Sequence, residues 1–68
     1  MNDLDVVITV RAEGHGNTFK IAKILEEVGG LTVYTVLNTT HTIFGHCDKS
    51  VFVLLSAHPS VERIEENE

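Results

Sequence analysis

Apolar residues recur along this chain with two different periods. In "LDVVITVR" the alternation is strict. Leu4, Val6, Ile8 and Val10 fall on one side and Asp5, Val7, Thr9 and Arg11 on the other, the period-two pattern of a half-buried strand. From Phe19 the period lengthens. Ile21, Ile24, Leu25 and Val28 follow the spacing of an amphipathic helix, with Asn17 or Thr18 as its N-cap. Gly29-Gly30 ends that helix, because glycine takes the left-handed cap position without steric cost. Alternation returns in "LTVYTVLN", where Leu31, Val33, Thr35 and Leu37 interleave with Thr32, Tyr34, Val36 and Asn38. After a turn at "NTT" comes a third strand, "THTIFGHC", and so short a connection predicts an antiparallel hairpin. The first two strands, separated by a helix, are joined as a crossover.

The segment "DKSVFVLLSAH" reads two ways. Val51-Phe52-Val53 favours a strand by propensity. Asp48 is a good N-cap, however, and Val51, Leu54, Leu55 and His58 stand at helical spacing. His58-Pro59 closes a helix, since the residue before proline is driven out of the α region. The helical reading is preferred, and "SVERIEE" then forms a short last strand. The expected fold is α+β, a ferredoxin-like β-α-β-β-α-β chain with an antiparallel four-stranded sheet and two helices on one face. A strand over the disputed segment would leave a four-stranded sheet with one helix.

At 68 residues the chain makes a single small α+β domain, positions 1–68. A domain of this size buries only about 60% of its unfolded surface and has no room for a deep interdomain cleft. Ten acidic residues against five basic ones leave a net charge of −5, which argues against nucleic acid and anionic membranes as partners. No apolar run is long enough to span a bilayer, and Met1 to Asp5 lacks the basic start of a signal peptide. A cytoplasmic location is the expectation. The one cysteine, Cys47, has no internal disulfide partner and is expected to fill core beside the second helix.

The second half of the chain carries a resemblance. "GGLTVYTVLNTTHTIFGHC", a helix opened by Asp48, and then His58-Pro59-Ser60-Val61-Glu62-Arg63-Ile64-Glu65-Glu66 together resemble the subtilisin-propeptide and proteinase-inhibitor family. The likeness covers Val28 to Asn67; the first strand and helix agree only in type and length. It implies a domain that lays the open face of its sheet on a protease and inserts an extended C-terminal segment into the cleft. With Val6, Ile8, Val10, Val33 and Leu37 toward the helices, that open face would carry Val7, Thr9, Tyr34, Val36, Thr42 and Phe44. The sequence departs from the pattern after Glu65-Glu66, where only Asn67 and Glu68 stand in place of the inhibitory extension, so inhibition by tail insertion is not expected.

Other motifs point to less. "RAEGHGNT" follows a strand and opens a helix, the setting of a phosphate loop, but Arg11 and Asn17 replace the glycine and lysine that G-x-x-x-x-G-K-[ST] requires. A Gly-rich loop with an Asn or Thr cap is the expectation, with His15, Gly16, Asn17 and Thr18 as a weak anion contact. The four histidines and Cys47 lack metal-ligand spacing, and the adjacent pairs Glu26-Glu27 and Glu65-Glu66 lack a pocket to separate their pKa values. No cofactor, metal or catalytic residue is expected. The resulting expectation is a non-enzymatic module that binds another protein, or a second copy of itself, through Val7, Thr9, Tyr34, Val36, Thr42 and Phe44 and through Glu65, Glu66, Asn67 and Glu68 of the final strand. The edge of that strand offers a site for pairing across a two-fold axis. A protease inhibitor or propeptide-like folding chaperone, and an anion or small-ligand sensor using the Gly14-Thr18 loop, are the alternatives.

Overall fold

The computed structural model describes residues 3–67, with the side chains at positions 14 and 15 outside the description. Strand β1 (Asp3–Val10) runs into a 3-10 helix over Ala12–Asn17 and then helix α1 (Thr18–Gly29). Strands β2 (Thr32–Leu37) and β3 (Thr42–Asp48) form a hairpin, and helix α2 (Lys49–Ser56) leads to strand β4 (Val61–Glu66). The strands assemble in the order β2-β3-β1-β4, and every neighbouring pair is antiparallel. The chain is thus a ferredoxin-like α+β fold, with both helices on the sheet face that carries Val6, Ile8 and Val10.

The disputed segment is a helix because both of its ends are chemically closed. Asp48 Oδ1 accepts from the Ser50 backbone N–H at 2.9 Å and from the Ser50 hydroxyl at 2.8 Å, satisfying a donor the first turn leaves free. At the other end the His58 N–H donates to the Leu55 carbonyl at 3.0 Å, and His58 Nδ1 accepts from the Ser60 N–H at 3.1 Å. Leu55 is buried and Val51 and Phe52 are half-buried, while Val53 and Leu54 face solvent. The amphipathic helix pattern overrides the strand propensity of Val51-Phe52-Val53.

Helix α1 buries a narrower stripe than its spacing predicts. Thr18, Ile21, Ala22 and Leu25 are buried, whereas Ile24 is 39% and Val28 80% exposed. Gly30 stops the helix with φ 77°, as the Gly-Gly pair requires. The stretch expected to be a Gly-rich loop is instead a 3-10 helix, its start held by the Arg11 N–H to the Ser60 carbonyl at 3.0 Å. Asn17 occupies the N-cap position of α1 without a side-chain cap bond, and Thr18 belongs to the helix.

Two bulges change the phase of the edge strands. Along β2, Val33 opposes Gly45 but Thr35 opposes Phe44, so Tyr34 is the extra residue. Beyond it, Val36 shares the helix side with Ile43, and Leu37 joins Thr42 on the open side. The expected assignment of these two residues is therefore reversed: Val36 is half-buried under the helix layer and Leu37 lies on the open face, because one inserted residue flips all that follow. In β4 the extra residue is Glu62, which lets Val61 and Ile64, three apart, both face the helices opposite Val10 and Ile8.

At the first bulge, β2 and β3 approach too closely for a side chain on Gly45. A Cβ there would collide with the Thr32 carbonyl oxygen and lie 3.2 Å from Val33 Cα. Gly45→Ala is expected to cost about 1–3 kcal/mol, read as a drop in urea midpoint, because backbone rather than a movable side chain must give way. Asp48 has its carboxyl pulled below the ordinary value of 3.8, first by the Ser50 backbone N–H and then by the Ser50 hydroxyl. A depressed folded-state pKa stabilises at pH above the unfolded value and is lost as pH falls through the folded one. Asp48→Ala should therefore lower the urea midpoint at neutral pH, and the gap to wild type should close as the pH is taken below 3.8.

Candidate functional site

The uncovered face of the sheet follows from β1. Burying Val6, Ile8 and Val10 toward the helices sends Asp5, Val7 and Thr9 outward, and the strand register lines up their neighbours. Thr35, Phe44, Val7 and Glu65 form one row across the four strands, and Leu37, Thr42, Thr9 and Arg63 the next. The centre is half-buried (Phe44, Val7, Thr42, Thr9), and Leu37 at the β2 side is 41% exposed. Arg63 Nε and Glu65 Oε1 pair at 3.4 Å in a solvated position at the β4 side, a contact of small energetic weight.

A polar cluster sits at one end of this face. Asp5 and His46 are register partners. The bulged Tyr34 reaches them, its hydroxyl donating to Asp5 Oδ1 at 3.4 Å and hydrogen bonding with His46 Nδ1. The Tyr34 and His46 rings are 5.2 Å apart and tilted by 55°. Asp3, two residues back along β1, extends the acidic rim. The Tyr34 phenol is raised above its ordinary value of 10.0, first by desolvation and then by the charge of Asp5, its hydrogen bond to Asp5, and the charge of Asp3.

Of the residues expected at a binding face, Val7, Thr9, Tyr34, Thr42 and Phe44 come together, and Val36 does not. Glu65 lies on this face opposite Val7, whereas Glu66, opposite Val6, lies on the helix side and is exposed. The Asn67 N–H donates to the Asp5 carbonyl at 2.7 Å, continuing the pairing past β4, and Glu68 lies outside the described residues. Leu37, Asp3, His46 and Arg63 also belong to the face and were not named for it, while Asp5 shares it with Val7 and Thr9 as the alternation of the first strand predicts. Alternation within the third strand already placed His46 beside Phe44, but the position of Leu37 needed the bulge.

Of the four residues expected to bind an anion, Asn17 and Thr18 do not turn their side chains to one place. The Thr18 side chain is buried, with Oγ1 3.4 Å from His41 Nδ1. Gly16 and Asn17 are exposed, and the His15 side chain lies outside the described ones. Asn17 does line a shallow groove of about 450 Å³ with Arg11, Lys20, Ile24, Pro59 and Ser60. Cys47 is buried toward the helices, and His46 points to the opposite face, as adjacent strand residues must. Burial, then Asp48 and Asp3, raise the Cys47 thiol above its ordinary value of 9.0 and away from the reactive thiolate. Among the described residues no three His, Cys, Asp or Glu side chains are placed to hold a metal ion, and no helix is long and apolar enough to cross a membrane. No protein family, curated protein or solved structure matches the chain.

Tyr34 is the only tyrosine and the chain has no tryptophan, so ultraviolet absorbance reports its ionisation directly. Its titration midpoint is expected above 10.0 in the folded protein, and Asp5→Asn should move it down toward that value. An unchanged midpoint in Asp5→Asn would show that the Tyr34–Asp5 contact does not form.

Proposed function

We propose that this protein is a non-enzymatic binding module that docks the open face of its sheet onto another protein. The observation that carries the reading is the one-sided cover of the sheet. Both helices lie on the Val6–Ile8–Val10 side, leaving a strip of Phe44, Val7, Thr9, Thr42 and Leu37 on the other. A rigid, mostly β-branched surface with an aromatic centre suits a flat partner, because little side-chain entropy is lost on docking. Asp3, Asp5 and Glu65 rim this strip, with Arg63 the cation in these rows among the described residues, so the partner is expected to be basic around an apolar patch.

A subtilisin-type protease is a second reading of that partner. It is favoured by the ferredoxin-like strand order together with the position of the Pro59 to Glu66 stretch, which forms edge strand β4 and presents Glu65 on the open face. The same reading keeps a cytoplasmic home and a partner other than nucleic acid, the latter supported by the charge of −5.

The test is capture from extract with wild type and Phe44→Glu in parallel, both checked for folding by circular dichroism, alongside a subtilisin inhibition assay. A partner held by wild type and lost by Phe44→Glu is the expected result, with at least about tenfold weaker binding for a charge placed at the centre of a docking face. A partner captured equally by both proteins would exclude the open face. Inhibition of subtilisin by wild type, weakened in Phe44→Glu, would support the second reading, and no inhibition at micromolar concentration would end it.

A further inference from the structure

The two free edges of the sheet differ in kind. Strand β4 carries Glu62, Arg63, Glu65 and Glu66 among its six residues. Charge on an edge is a common protection against pairing with another chain, and two copies of β4 side by side would set like carboxylates against each other. Strand β2, "TVYTVL", carries no charged residue along its six positions. On a protein of net charge −5, that makes it the edge where two copies can meet without bringing acids together.

Strand β2 is also the least covered strand of the sheet. None of its residues is buried, whereas β1, β3 and β4 each place residues of 2% exposure or less under the helices. Its helix-side residues Val33 and Val36 are only half-buried, and on its other side Tyr34 is 58% and Leu37 41% exposed. Helix α1 adds to this apolar border. Ile21 and Ile24 turn toward the groove beside Pro59 and Ser60, on the side of the α2–β4 connection. Phe19, 62% exposed, lies on the opposite flank of α1, the helix that packs against β2. The contact of Thr18 with His41 sets this first turn beside the start of β3, where β2 ends.

We propose that β2 pairs antiparallel with β2 of a second copy about a two-fold axis, joining the two sheets into one of eight strands. The occupant is a second copy because the edge is self-compatible: an uncharged β-branched strand meets its own image, as an isologous interface requires. Pairing adds main-chain hydrogen bonds along β2 and covers Val33, Val36 and Leu37 from the side. The bulge at Tyr34 divides the regular ladder into residues 32–33 and 35–37, so the dimer is weak and concentration-dependent. This departs from the expectation that the last strand would be the pairing edge. It is independent of the partner-binding reading, although it would set two open faces side by side.

Light scattering and sedimentation velocity from micromolar to millimolar concentration test it. The mass of wild type is expected to rise from 7.5 kDa toward twice that value. Thr35→Lys, which sets lysines against each other across the new ladder, should hold the monomer mass, while Glu62→Lys on β4 and Phe44→Glu at the centre of the open face should still double. A wild type that stays monomeric at millimolar concentration overturns the proposal and leaves the edge to a strand from another protein. Retention of the dimer by folded Thr35→Lys overturns it as well. Should Thr35→Lys fail to fold, amide hydrogen exchange of wild type decides. Protection over residues 32–37 must rise with concentration while that over residues 61–66 stays constant, and the reverse order places the interface on β4.

Discussion

The surface of this protein depends on how β1 is buried. Between β3 and β4, the strand turns Val6, Ile8 and Val10 completely away from water. A strand that buries every second residue must present the residues between them on the other side, and here these are Asp5, Val7 and Thr9. Because β3 and β4 pair to β1 in fixed register, the same choice turns Phe44 and His46 outward and Ile43 and Cys47 inward. The helix layer supplies the apolar cover that rewards this choice, through Leu25, Leu55 and Ile21. No separate force positions the open face; it is the complement of the core.

The two bulges are where that rule is adjusted. A strictly alternating β2 would place Val33 and Leu37 on the same side, as the pattern of the isolated strand suggests. Tyr34 interrupts the alternation, turning Val36 toward the helix layer and Leu37 outward. The same event brings the Tyr34 hydroxyl to Asp5 and His46, so one inserted residue both shapes the apolar strip and builds the polar cluster at its end. Gly45 makes the bulge sterically feasible, since the facing backbone occupies the space of a Cβ. Sequence, strand geometry and surface chemistry are coupled at this one place.

Most of the fold was legible from periodicity and caps. Element order, the hairpin, the Gly30 stop and the inward Cys47 all rest on local chemistry, and local chemistry is written in the residues themselves. The Asp48 cap and the His58-Pro59 end decided the segment that strand propensity left open. The candidate face was legible in part. Alternation placed Val7, Thr9, Thr42 and Phe44 correctly, but it could not anticipate the phase change that exchanges Val36 for Leu37. At the start of the first helix the local shape differed from a plain loop: the stretch is a 3-10 helix, and the Thr18 side chain turned into the core.

The residues alone determined which segments are strands and helices and which side of each central strand is apolar, because period, cap and turn chemistry act over a few neighbours. Tertiary structure decided three further things. It chose which strands lie at the edges, it set the phase of the edge strands through bulges, and it left β2 the least covered. Each depends on where a strand's partner lies after long connections have closed. Pairing register is a property of two strands at once, and no single stretch of sequence carries it.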